Sequence, residues 1–193
     1  KMYRNKLLQS KSNRSSFVNS LEKTLWGRSH ETEEHCRRML VAAENIGRVL
    51  ELSDSELDNL MLLAMLHDIG KIAMPNSILD KAGELSSEEW ETIKSHPEIG
   101  YRIALSSPEL APIAEGILHH HEWWNGSGYP LGLKGENIPL ISRIIAITDA
   151  YDVMTNGRPY KKAMSKKEAL EEIERCSGTQ FDPELVRKCH FID

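Results

Sequence analysis

The sequence predicts an all-α domain. Apolar residues recur at three- and four-residue spacing through successive segments, the signature of helices with one buried face. Ser-x-x-Glu pairs stand before three of these segments, where a serine and a glutamate can satisfy each other's end of a first helical turn. Strict polar/apolar alternation, the mark of a half-buried strand, is missing. At 193 residues the chain is long enough for one real core plus a short extra segment. Its 40% hydrophobic and 27% charged residues are ordinary for a globular domain and argue against disorder or a fibre.

Residues 1–28 are polar, basic at the start and weakly periodic. They read as a linker helix arriving from an upstream domain, or as a frayed end. Phe17, Leu21 and Leu25 fall at four-residue spacing, an apolar stripe that can pair with its copy in a homodimer; a monomeric tail is the alternative. Because the chain opens on Lys1 and not on Met, it reads as a piece of something longer. The main domain is expected over 29–193.

Ser29 is the candidate cap of the next helix, whose first turn carries Glu31, Glu33 and Glu34 and which continues through Met39, Leu40, Ala43, Ile46 and Leu50. Ser53 with Glu56 caps the apolar run 57–66, and Gly70 is expected to end that helix. Ser86 with Glu89 repeats the device. His96-Pro97 closes one helix and opens another, proline being suited to a first turn. Residues 111–118 read as a helix, 125–139 as a long Gly- and Pro-rich loop, and 140–154 as an apolar helix. Ser165 with Glu168 caps a further helix, and Asp182-Pro183 starts a last short one.

Composition narrows the function. No apolar run nears the roughly 20 residues that span a bilayer, and no signal-peptide pattern opens the chain. Cys36, Cys176 and Cys189 are odd in number and far apart, which suits buried thiols in a reducing cytosol better than disulfides or a metal site. A net charge of −5 argues against a general nucleic-acid surface. An anionic substrate stays open, because bound cations reverse charge locally.

The histidines and aspartates are placed where metal ligands would be. Glu31 and His35 stand four apart on one helix face. His67-Asp68 follows an apolar run, an expensive place for a carboxylate unless it is paired or metal-bound. His96 and the triplet His119-His120-His121 mark helix ends, and Asp149 follows the run Ile144-Ile145-Ala146-Ile147. Each alone has a plainer reading: a capping histidine, a satisfied core carboxylate or, for Glu31, solvated first-turn charge. Together they suit a divalent-metal cluster.

The order His35, His67-Asp68, Asp149 resembles the HD superfamily of metal-dependent phosphohydrolases. His67-Asp68-Ile69-Gly70-Lys71 and His120-His121-Glu122, followed by Gly126-Ser127-Gly128-Tyr129-Pro130, resemble the signatures of its HD-GYP branch, as does Arg158-Pro159-Tyr160-Lys161 downstream of Asp149. The resemblance implies a compact multi-helix HD-domain bundle that hydrolyses cyclic di-GMP to pGpG or GMP with a metal-activated water. It implies two or three divalent ions, Fe or Mn foremost, with Zn, Co, Ni and Mg as alternatives. His35, His67, Asp68, His96, His120, His121 and Asp149 are the implied ligands, Asp68 bridging two ions, and Glu31 stands where members with a third ion carry a Glu.

In catalysis the resemblance gives Asp68 and Lys71 the central places, with Lys71 at the phosphate or leaving group. Gly128, Tyr129 and Pro130 are implied substrate contacts, Tyr129 offering its ring to a guanine and its hydroxyl to a phosphate. Arg158 and Lys161 are expected at the second phosphate. His119 has no counterpart and is expected behind the site or on the surface; His30 and His190 have no motif support. Asn125 stands where the family usually has Asp, keeping the turn-forming shape and losing the charge. Trp123 and Trp124 are read as packing residues. The expected partners are cyclic di-GMP and an upstream sensory domain, with no membrane in this segment and a cytoplasmic location. The other readings are a receptor that binds the dinucleotide without turnover, and a hydrolase of a related cyclic dinucleotide.

Overall fold

The computed structural model describes residues 16–28, 32–157 and 162–188. Glu31, Arg158 and Lys161, with Ser29, His30, Cys189 and His190, lie outside these residues. The described residues are helical and contain no named strand; one isolated bridge joins Ser177 and Phe181.

The middle of the core is helix α3 (Asp54–Leu66), with Leu60, Leu63 and Leu66 all fully buried. Its polar residues sit in the first turns and its apolar ones wrap most of its circumference, as a helix covered on several sides requires. Burying one such leucine contributes about 2 kcal/mol. Around it pack α2 (Glu33–Val49) and α8 (Leu140–Asn156), which also touch each other. Helices α6 (His96–Leu105) and α7 (Ala114–His119) pack as a pair, and α9 (Lys166–Arg175) and α10 (Pro183–Lys188) lie on α8. Between them come the short helix α4 (Asn76–Leu79) and α5 (Ser87–Lys94).

All three serine caps form as full capping boxes, at Ser53/Glu56, Ser86/Glu89 and Ser165/Glu168. Pro97 sits in the first turn of α6, and the Asp182 side chain accepts from the Glu184 amide at the start of α10. The α2 cap is Thr32, not Ser29: its hydroxyl accepts from the His35 amide at 3.0 Å.

Gly70 does not end α3. That helix stops at Leu66, and Gly70 lies inside a 3-10 turn, Ile69–Ala73. A Cβ on Gly70 would stand 1.9 Å from the His96 carbonyl oxygen, so the glycine is there to let this turn press against α6. The close approach brings His67-Asp68 up to His96.

Helix α1 (Ser16–Arg28) packs on the same 3-10 turn, and Arg28 Nη2 donates to the Met74 carbonyl at 3.1 Å. Its buried stripe is rotated from the one the spacing suggests. Val18 and Leu25 enter the core, Leu21 is partly buried, and Phe17 stays 43% exposed. Among the described residues no helix is long and apolar enough to cross a membrane.

Candidate metal centre

Two groups of ligand-type side chains converge, the histidines and Asp68 from at or near helix ends and Asp149 from within α8. Asp68, His96, His120 and His121 form one, and His35, His67 and Asp149 the other; within each group the ligand atoms lie within 4.8 Å of one another. Adjacent residues His67 and Asp68 belong to different groups, and His67 Nε2 is 3.4 Å from Asp68 Oδ2. Asp68 Oδ1 faces Nε2 of His96 at 3.0 Å and Nε2 of His120 at 3.6 Å. His35 Nε2 lies 3.9 Å from Asp149 Oδ1.

Four of the rings are held from behind. Nδ1 of His67, His96 and His120 donates to the carbonyl three residues earlier, on Ala64, Ile93 and Ile117, at 3.2, 2.7 and 2.6 Å. His35 Nδ1 donates to Asp152 Oδ2 at 2.7 Å. These bonds fix the tautomer that leaves Nε2 as the lone-pair donor, the arrangement typical of metal-bound histidine. The helix-end positions explain the pattern: a last-turn histidine finds the carbonyls of its own final turn within reach.

Electrostatics agree. Burial pushes His120 down to about 4, with His96 and His67 adding to the effect against the pull of Asp68. Burial, then His120 and His96, likewise hold His121 well below the usual imidazole range. Burial works to raise the Asp68 carboxyl, but Lys71, His67 and His120 outweigh it and keep Asp68 well below the usual carboxylate range. Neutral imidazoles beside an ionised carboxylate are the protonation states a divalent cation needs. Asp68 Oδ1, buried among histidine nitrogens, makes no hydrogen bond of good geometry. The donor set, nitrogen and carboxylate oxygen without sulfur, fits borderline and hard divalent ions.

Lys71 lies over this centre from the 3-10 turn, with Nζ 2.5 Å from Asp68 Oδ2. Tyr129 stacks on His121, ring centroids 4.8 Å apart at 28°. One ring face therefore lies against a ligand-type histidine. Burial and Asp68 raise its phenol well above the ordinary value, so the hydroxyl keeps its proton.

The loop carrying Tyr129 is anchored by a residue to which the sequence reading assigned no role. Glu122, 2% exposed, accepts from the amides of Leu131 at 2.7 Å and Leu133 at 3.0 Å. The Trp124 and Asn125 amides donate to Gln180 and Thr179 carbonyls. Asn125 Oδ1 accepts from the Ser127 amide and hydroxyl, so the turn closes without a charge at this position. Gly128 is pressed so closely that a Cβ would lie 2.2 Å from the Trp123 nitrogen, and the Tyr129-Pro130 peptide is cis. Arg143 stands over Trp124 and pairs with Asp182 at 2.6 Å. Trp123 is 40% exposed, so of the two tryptophans only Trp124 is partly buried.

His119 is buried behind the centre, near Glu115 and Glu122, and belongs to neither ligand group. Asp152 is the second residue given no role from sequence. Besides His35 it receives Arg38 and Asn156. Its signal was present: Asp152 follows Asp149 by three residues on α8, as Arg38 follows His35 on α2, so the second pair lies one helical step behind the first.

Comparison with known proteins gives a consistent family. A cyclic di-GMP phosphodiesterase of Thermotoga maritima is 43% identical over 161 residues, covering 82% of this chain and 44% of the relative. A 3'3'-cGAMP-specific phosphodiesterase of Vibrio cholerae is 38% identical over 172 residues, covering 88% of this chain and 33% of the relative. The crystal structure of a cyclic GMP-AMP-specific phosphodiesterase of V. cholerae superposes with a TM-score of 0.64 at 30% identity, covering 90% of this chain and 47% of that one. The chain thus spans less than half the length of these relatives. The family profile described as HD domain matches residues 19–185, and with the all-helical fold and paired ligand groups in place, this chain belongs to the HD domain family.

Proposed function

We propose that this chain is the catalytic part of a phosphodiesterase that hydrolyses cyclic di-GMP to pGpG, GMP or both. The observation that carries the reading is the adjacency of two ligand groups joined through neighbouring His67 and Asp68. Relatives named for cyclic dinucleotide hydrolysis over more than four-fifths of the chain support it.

Bound divalent ions, Fe or Mn foremost, supply Lewis acidity toward phosphate oxygens and bring the pKa of water toward neutrality. His35, His67, Asp68, His96, His120, His121 and Asp149 would hold the ions, with Asp68 of one group adjoining His67 of the other. Glu31 completes a third position, and two or three ions are therefore proposed. Lys71, drawn in by Asp68, places its ammonium at the phosphate or leaving-group oxygen. The Tyr129 hydroxyl donates to the substrate, Gly128 and Pro130 shape the loop that presents it, and Arg158 and Lys161 take the second phosphate. Glu122 holds that loop closed while substrate binds.

Residues 29–193 form the proposed catalytic unit and residues 1–28 the linker from an upstream sensory domain, in a cytoplasmic protein. The boundary is one of role and not of packing, since Val18 and Leu25 enter the core. Exposed Phe17 is the proposed contact of a homodimer, tested by light scattering of the whole chain against Phe17→Ser.

The test is metal analysis of anaerobically purified protein paired with a turnover assay on cyclic di-GMP, cyclic GMP-AMP and cyclic di-AMP. Conversion of cyclic di-GMP to pGpG or GMP is expected. Preference for cyclic GMP-AMP would move the chain to the reading as a hydrolase of a related cyclic dinucleotide, which those V. cholerae relatives named as 3'3'-cGAMP-specific favour. Tight binding with bound metal and no turnover would make it a receptor.

A further inference from the structure

Lys94 is a cation at the rim of this centre that the proposed mechanism leaves unused. It ends α5, two residues before His96, and its Nζ stands 6.0 Å from the Tyr129 ring centroid. Tyr129 in turn lies on His121. The ligand group, the tyrosine ring and the ammonium thus form one continuous row leading out of the metal centre. Lys94 is not buried in structure: its side chain is 33% exposed, and Glu91, with which it pairs at 2.8 Å, is 71% exposed. A pair that open contributes little to stability.

The geometry points to Lys94 as a further binding residue, beside the proposed Arg158 and Lys161, for the substrate's second phosphate, the one that does not lie at the metals. This rests on the proposed cyclic dinucleotide substrate, which carries two phosphodiester charges. The seven ligand-type residues, in two adjoining groups, and Lys71, paired with Asp68, would take one of them. Lys71 is committed to Asp68 inside the centre, and Arg38 is committed to Asp152. Lys94 is held instead by an exposed carboxylate that an arriving phosphate can replace without leaving a buried charge unpaired. A mononuclear phosphodiester, too short to leave the metals, gains nothing from it.

The test is calorimetric binding of cyclic di-GMP and cyclic di-AMP to the metal-loaded chain, with bis(p-nitrophenyl) phosphate hydrolysis as a one-phosphate control. Lys94→Met is expected to weaken both dinucleotides about tenfold, the loss of one charge-assisted hydrogen bond. It is expected to leave the control reaction and the melting temperature unchanged. Lys94→Arg should retain most of the affinity, and Glu91→Gln should bind at least as tightly as the parent. Unchanged binding in Lys94→Met overturns the inference. So does a loss confined to the guanine-containing ligand, which marks a base contact, or an equal loss in Glu91→Gln, which marks a structural pair. Absence of any dinucleotide binding by the parent removes the proposed function and this inference with it, whereas an unaffected Lys94→Met in a binding parent removes this inference alone.

Discussion

His35 donates Nδ1–H to Asp152 at 2.7 Å, and Asp152 is gripped from behind by the Arg38 guanidinium. Burial alone would raise the Asp152 carboxyl, but the His35 hydrogen bond and Arg38 keep it below its ordinary value. An ionised Asp152 aims the His35 ring and strengthens its Nε2 as a donor. Asp152→Asn is expected to lower metal affinity at the His35–His67–Asp149 group by about 10- to 100-fold, the usual effect of losing such a partner. Metal titration should show the stoichiometry falling while the Asp68–His96–His120–His121 group still fills. Unaltered affinity at both groups would show that the ring is held by packing alone.

Glu122 closes the tyrosine loop through two amides. Glu122→Ala leaves both N–H groups without their acceptor, each costing about 1–3 kcal/mol. A melting temperature lower by several degrees is expected, roughly in line with the size of the domain. Hydrogen exchange should show the Leu131 and Leu133 amides losing protection first. Retained protection at those two amides would reject the anchoring role.

Gly70 tests the contact that brings the two halves of the centre together. In Gly70→Ala the new methyl meets the His96 carbonyl and the Gly100 nitrogen, both backbone atoms that cannot turn aside. Destabilisation of about 3 kcal/mol, the upper range for overpacking, is expected by urea unfolding. Metal content should fall in the same samples, because His96 is displaced from Asp68. A stable variant with full metal content would mean that the turn and α6 can separate freely.

The capping boxes make a prediction about pH. Hydrogen bonds from the cap serines hold Glu56 and Glu168 below the ordinary value of 4.5, and Lys81 with Ser86 does the same for Glu89. A carboxylate depressed by folding contributes stability that is present above 4.5 and lost as pH falls through its folded value. The triple variant Glu56→Gln, Glu89→Gln, Glu168→Gln keeps the box shape and removes the titration. Its stability deficit relative to the parent, measured by urea unfolding, should shrink as pH drops from 7 to 3. A deficit independent of pH would show that the boxes act through shape alone.

The helices were legible because their signals are local. Ser53, Ser86 and Ser165 each announce a helix start through a contact three residues away, and all three form. The places where the structure departs from the sequence reading are those where distant segments compete. Thr32 caps α2 within the described residues, and Gly70 is needed for its closeness to His96 rather than as a helix end. The α1 stripe is shifted because α1 packs on the sequence-distant turn Ile69–Ala73 with Val18 and Leu25 in the core, and no spacing rule within α1 encodes that neighbour.

The same division holds at the metal centre. That His35, His67, Asp68, His96, His120, His121 and Asp149 are candidate ligands was readable in the chain from their joint order, since each alone has a plainer use, and the structure brings them into two groups able to hold a metal. Their grouping into two sets split between His67 and Asp68 was not, nor was the support from Asp152, Arg38 and Glu122. A ligand's identity is a property of one residue. Its partners depend on which helix ends meet, and burial of the shared core around Leu60, Leu63 and Leu66 settles that for all the helices at once.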